Sequence, residues 1–131
     1  MFSLRNIAGA NPDQKVVDEA VRQIVRGFEN TDPNEALLRH EVAFVLGQLG
    51  DRAENVAVPS LLNRLEDPNE NPMVRHEAAE ALGSVASDEY SEKVLQRFAT
   101  DNEPVVSESC VVALDIAEYE KSESFDYATL S

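Results

Sequence analysis

Residues Leu37-Leu38-Arg39-His40-Glu41-Val42-Ala43-Phe44-Val45-Leu46-Gly47 stack in register over Met73-Val74-Arg75-His76-Glu77-Ala78-Ala79-Glu80-Ala81-Leu82-Gly83, and this internal repetition constrains the fold more than any other feature. A weaker third copy, Val105-Val106-Ser107-Glu108-Ser109-Cys110-Val111-Val112-Ala113-Leu114, keeps Val106 and Leu114 but loses the Arg-His-Glu step. From Leu46 to Leu82 to Leu114 the steps are 36 and 32 residues, the period of stacked helical hairpins. The fold class expected is all-α, an α-solenoid of about three repeats preceded by a partial helix.

Between the copies, apolar residues at helical spacing predict partner helices over 15–29 (Val16, Val17, Ala20, Ile24, Phe28), 56–65 and 92–99. Pro12, Pro33, Pro72 and Pro104 each follow Asn, Asp or Glu and belong at a first helical turn, where the missing N–H costs nothing. Gly50-Asp51 fits the turn after the first His-Glu helix. On the leucine alignment Leu4 takes the place of Leu46, so Met1 falls in mid-helix, and the chain reads as the later part of a longer solenoid. Residues 1–119 are assigned to the repeat domain and 120–131 to an acidic tail, in which Phe125, Tyr127 and Leu130 are the apolar residues available to pack on the last helix.

With 131 residues, 43% of them hydrophobic and 27% charged, the composition is that of one soluble domain, and no apolar run approaches the roughly 18 residues of a membrane span. The start, Met1-Phe2-Ser3-Leu4-Arg5-Asn6, lacks the pattern of an export signal, so the expected compartment is the cytoplasm. A lone Cys110 excludes an internal disulfide and a zinc-thiolate cluster, and reads as a small buried hydrophobe. The formal charge of −14 argues against nucleic acid as a partner and favours cationic ones. Neither a glycine-rich phosphate loop nor a Ser-His-Asp arrangement is present.

The third copy shows that the frame does not require His-Glu, and histidine has low helix propensity and is awkward to bury. Its recurrence at one repeat position points to metal ligation by His40 and His76. Equivalent helices of adjacent repeats pack about 8–10 Å apart, so the two imidazoles are expected to share one ion. Small neighbours on their helix faces, Ala36, Ala43 and Gly47 for His40, and Ala79 and Gly83 for His76, are expected to leave room for a ligand. Glu41 and Glu77 point about 100° away around their helices, toward a neighbouring site. Two histidines and one carboxylate match the ligation of oxygen-activating iron. Alternatively, Arg39-His40-Glu41 and Arg75-His76-Glu77 are duplicated polar turns with the glutamates paired to arginines; Arg39 and Arg75 are expected to be inter-repeat ion-pair partners rather than site residues, and Met73 core filler.

These residues, from Leu38 to Leu49, Glu70 to Gly83, and Glu108-Ser109-Cys110 with Ala113-Leu114-Asp115, closely resemble the C-terminal half of the deoxyhypusine hydroxylase family. The resemblance implies a HEAT-type helical fold and two Fe(2+) ions between two halves, which activate dioxygen, the co-substrate, to hydroxylate the deoxyhypusine side chain of translation factor 5A. It further implies that His40 and His76 bind one iron, that Glu41 reaches the iron of the opposite half, and that Glu77 lies near the substrate amine as a catalytic residue as well as in the metal-site group. The chain carries one half of such a site, so its implied partners include an N-terminal half or a second copy related by a two-fold axis. Two other readings compete: a metal-free helical-repeat interaction module, and a phycobilin-lyase-like repeat protein, which shares the Val-Arg-x-x-Ala-Ala-x-Ala-Leu-Gly frame but has no need of two His-Glu steps.

Overall fold

The computed structural model describes residues 4–6, 8 and 13–130, with side chains as far as Glu123. From residue 13 on, the described residues form the helices α1 (Gln14–Val25), α2 (Ala36–Leu49), α3 (Glu54–Glu66), α4 (Pro72–Val85), α5 (Glu89–Phe98) and α6 (Pro104–Leu130). Short 3₁₀ turns at Arg26–Glu29, Pro33–Glu35 and Gly50–Ala53 join the earlier ones. Residues 4–6 and 8 are helical too, and among the described residues there is no strand. No helix among them is long and apolar enough to cross a membrane.

The boundaries follow from local chemistry. Pro72 opens α4 while the Asn71 side chain accepts the Met73 N–H, and Pro33 opens its turn while Asp32 accepts from Asn34. Asp13 and Asp88 cap α1 and α5 in the same way. Gly50 ends α2 at φ +63°, a conformation glycine adopts without Cβ strain. Asn11-Pro12, Met1 and the side chains of Phe125, Tyr127 and Leu130 lie outside what is described. Helix α6 continues without a break across position 120, where the sequence places the start of a tail, and Lys121 Nζ reaches Glu92 Oε2 on α5 at 2.7 Å.

The helices pair as the repeats require, α1 with α2, α3 with α4 and α5 with α6. α4 packs against α2 on one side and α6 on the other, so the three repeat helices form one layer, and α1, α3 and α5 form the second. Leu46 and Leu82 are fully buried, as are Leu61 and Leu65 from α3, while Leu114 of the third copy is half-buried. Arg39 donates from Nε and Nη2 to both carboxylate oxygens of Glu70, each at 2.8 Å, and Arg75 reaches Asp101 at 2.6 Å. Each arginine thus ties its repeat to the loop that starts the next copy.

The small residues near the histidines serve this packing rather than making space for a ligand. A Cβ on Gly47 would stand 3.3 Å from Ala81 Cα, and one on Gly83 would stand 2.8 Å from Ala113 Cα, while Ala43 and Ala79 are fully buried. Met73 departs from expectation in the other direction. It lies in the first turn of α4, on the face that also carries Glu77 and Glu80, and is 50% exposed.

Candidate metal centre

The close approach of α2, α4 and α6 brings the polar side chains of the repeats into contact across helix boundaries. His40 Nε2 on α2 stands 3.0 Å from Glu77 Oε2 on α4. One repeat further on, His76 Nδ1 meets the hydroxyl of Ser109 on α6. The two contacts are equivalent, because Ser109 holds in the third copy the position that Glu77 holds in the second. Each histidine therefore faces the residue one place past the histidine position of the following repeat.

On the other edge of its ring, His76 Nε2 lies 3.5 Å from Glu80 Oε1, one helical turn along α4. Ligand atoms of His76, Glu77 and Glu80 all fall within 4.8 Å of one another. Glu77 joins the two parts, close to His40 on one side and belonging to the His76 group on the other. Glu41 is exposed and, among the described residues, makes no ion pair with this group.

Glu77 is buried, and that burial pushes its carboxyl above the usual range; the charge of His40 opposes the shift and that of Glu80 adds to it. His40 Nδ1 is itself buried without a hydrogen-bond partner among the described residues. The carboxylates of Glu77 and Glu80 concentrate acidic groups beside the two imidazoles in a partly dry setting. An imidazole and carboxylate donor set of this kind fits a first-row divalent cation such as iron.

Two members of the cluster were not singled out from the sequence. Glu80 could have been, since it follows His76 by four residues and shares its helix face. Ser109 was visible only as a loss, the place where the third copy abandons glutamate. On the same helices Leu37 is 77% exposed and Phe44 42%, one turn before and after His40, as Met73 is one turn before Glu77.

A two-layer stack of helical hairpins carrying a His-Glu cluster on its repeat helices defines a class, and residues 21–115 match the family of HEAT repeats, to which the chain belongs. Its relatives are more particular. The chain is 48% identical over 130 residues, 99% of its length, to a protein of Gibberella zeae named deoxyhypusine hydroxylase, and 48% identical over 128 residues to the protein of that name from Drosophila melanogaster. The Candida albicans protein of the same name is 49% identical over 130 residues. The solved structure of human deoxyhypusine hydroxylase in complex with glycerol superposes with a TM-score of 0.69 at 38% identity, covering 90% of this chain and 43% of that one. The chain spans 36% of the Gibberella zeae protein and 37% of the Drosophila melanogaster protein, so what it matches is a part of such proteins.

Proposed function

We propose that this chain supplies one side of the iron site of a deoxyhypusine hydroxylase, acting on the deoxyhypusine side chain of translation factor 5A. The observation that carries this reading is the cluster itself, in which His76, Glu77 and Glu80 lie together on α4 and His40 of the neighbouring repeat helix meets Glu77. His40 and His76 are the residues that would hold one of two Fe(2+) ions, and Glu41, facing solvent, is free to serve an ion held by another part of the enzyme. When bound, the irons supply the activation of dioxygen.

The chain's own groups do the rest. Glu77, partly desolvated and next to His40, is placed to accept a hydrogen bond from a substrate amine and to hold its proton. The exposed Leu37, Phe44 and Met73 give a substrate carried on a protein an apolar surface to rest on, and the net charge of −14 draws a cationic side chain toward it. Completion of the site calls for the remaining part of the enzyme or a second copy of the chain; no nucleic acid or membrane enters this reading, and the cytoplasm is its setting.

Anaerobic titration with ferrous iron tests the assignment. The chain is expected to bind iron, and His40→Ala or His76→Ala to weaken binding by roughly tenfold or more. Protein that takes up no iron and is indifferent to both substitutions would instead support the metal-free interaction module, which the same exposed Leu37 and Phe44 favour.

A further inference from the structure

We propose that Ser109, in the repeat that lacks the His-Glu step, is the positioning residue that fixes the tautomer of His76 and keeps its Nε2 lone pair turned toward Glu77 and Glu80. The serine hydroxyl touches two groups at once, His76 Nδ1 and the backbone carbonyl of Val105 one turn earlier on α6. A carbonyl oxygen only accepts, so the single hydroxyl proton goes to Val105, and the oxygen that remains can only accept in turn. His76 must then donate from Nδ1. In the neutral ring the lone pair falls on Nε2, the nitrogen on the side of the carboxylate cluster.

Burial keeps this chain of contacts in place. Ser109 is 4% exposed, and Val106 and Cys110 on the same turn of α6 are fully buried, so the hydroxyl has little freedom to turn to water. The contrast with His40 is instructive. His40 meets an acceptor, the Glu77 carboxylate, at Nε2, so that contact calls for the proton on Nε2, the opposite nitrogen from His76, and its Nδ1 has no partner among the described residues. A glutamate at position 109 would add a charge beside Nδ1, whereas a serine that has already given its proton away accepts from Nδ1 without adding one. On this view the change from Glu77 to Ser109 between copies is a functional substitution: the third repeat carries no ligand but orients the last one.

The consequence for cations rests on the metal reading proposed above; the tautomer does not. Proton–nitrogen correlation spectra of the metal-free chain labelled at histidine, taken near pH 8, above the ordinary imidazole value of about 6.5, report which nitrogen carries the proton. His76 is expected to be the Nδ1–H form, Ser109→Thr to preserve it, and Ser109→Ala to shift the ring toward the Nε2–H form while the helical circular dichroism stays unchanged. A wild-type His76 protonated at Nε2, or the same tautomer ratio in Ser109→Ala, overturns the proposal. Titration with cobalt(II) then reads the effect on affinity, expected to be about 10- to 100-fold weaker in Ser109→Ala. Wild-type protein with the Nδ1–H ring and no cobalt binding would leave the tautomer lock standing and sink the metal reading instead.

Discussion

Arg39 and Glu70 face each other fork to fork inside the protein, the guanidinium Nε and Nη2 each 2.8 Å from a carboxylate oxygen, with both side chains almost wholly out of water. The remaining Arg39 nitrogen donates to the carbonyls of Asn30 and Asp32, and Glu70 also accepts from Arg64 and the Asn71 N–H. The pair is fully hydrogen-bonded, which makes a buried charge tolerable, and it joins the loop before α2 to the loop before α4.

Glu70→Gln should therefore cost about 3–5 kcal/mol at neutral pH, because it leaves the Arg39 charge buried without a counter-charge. Burial alone pushes the Glu70 carboxyl up, but the bonds from Arg39, Asn71 and Arg64 outweigh it and hold the group below the ordinary value of about 4.3. With the native carboxyl depressed, the unfolded chain binds the proton more readily, so this stabilisation is complete above about pH 4.3 and is lost as pH falls through the lower native value. Urea unfolding of both proteins from pH 7 to pH 3 should show the gap between them narrowing toward the acid end; a constant gap would count against the assignment.

Arg75 and Arg97 make a useful contrast. Arg75 is buried, donates to the Leu65 carbonyl and grips Asp101 with two nitrogens, and its bonds hold the Asp101 carboxyl below its usual range. Arg97 pairs with Glu66 at 2.8 Å in a largely exposed position. Arg75→Lys, which cannot reproduce the fork, should cost about 2–3 kcal/mol, and Arg97→Ala at most about 1 kcal/mol. Chemical denaturation of the two variants under one buffer checks the ranking, and equal losses would refute it.

How far the sequence carried the reading depends on what each residue answers to. The hairpins, the proline-led helix starts, the Gly50 turn and the arginine ion pairs were legible because periodicity and local chemistry set them. Helix ends moved by a few residues: the 15–29 helix becomes α1 plus a 3₁₀ turn, and the 92–99 helix begins earlier, at Glu89, behind the Asp88 cap. The cluster was harder to read. His40 and His76 could be picked out by recurrence, but Glu80 and Ser109 join them through the packing of α4 against its neighbours, which one-dimensional spacing does not encode. Gly47 and Gly83 answer to the same packing, since only the crossing of the helices shows that their missing Cβ atoms are what allows contact.

Cys110 is fully enclosed, and burial, aided by the nearby Asp101 charge, pushes its thiol up to about 12. At neutral pH it has almost no thiolate, the form that reacts. Labelling by a thiol reagent should accordingly be negligible in the folded chain and rise with the fraction unfolded, in step with loss of helical circular dichroism. Rapid labelling of protein that is still fully helical would show that α6 opens locally against α4.

Gly83 offers the sharpest link between packing and site. A Cβ there would lie 2.8 Å from Ala113 Cα and 2.9 Å from its Cβ, and neither atom can swing aside as the end of a long side chain would. Alanine gains about 1 kcal/mol of helix propensity over glycine, but the clash must push α4 and α6 apart, at about 1–3 kcal/mol. At Gly47 the approach to Ala81 is 3.3 Å, so the same substitution meets a milder obstacle and its propensity gain largely offsets the cost. Gly83→Ala is expected to be the more destabilising of the two in thermal unfolding. It should also disturb the His76–Ser109 contact, which spans the same two helices, and so alter the His76 ring signals in the folded state, whereas Gly47→Ala should leave them in place. If both glycines tolerate alanine equally and the ring signals do not move, the α4–α6 approach is not what holds His76 against Ser109.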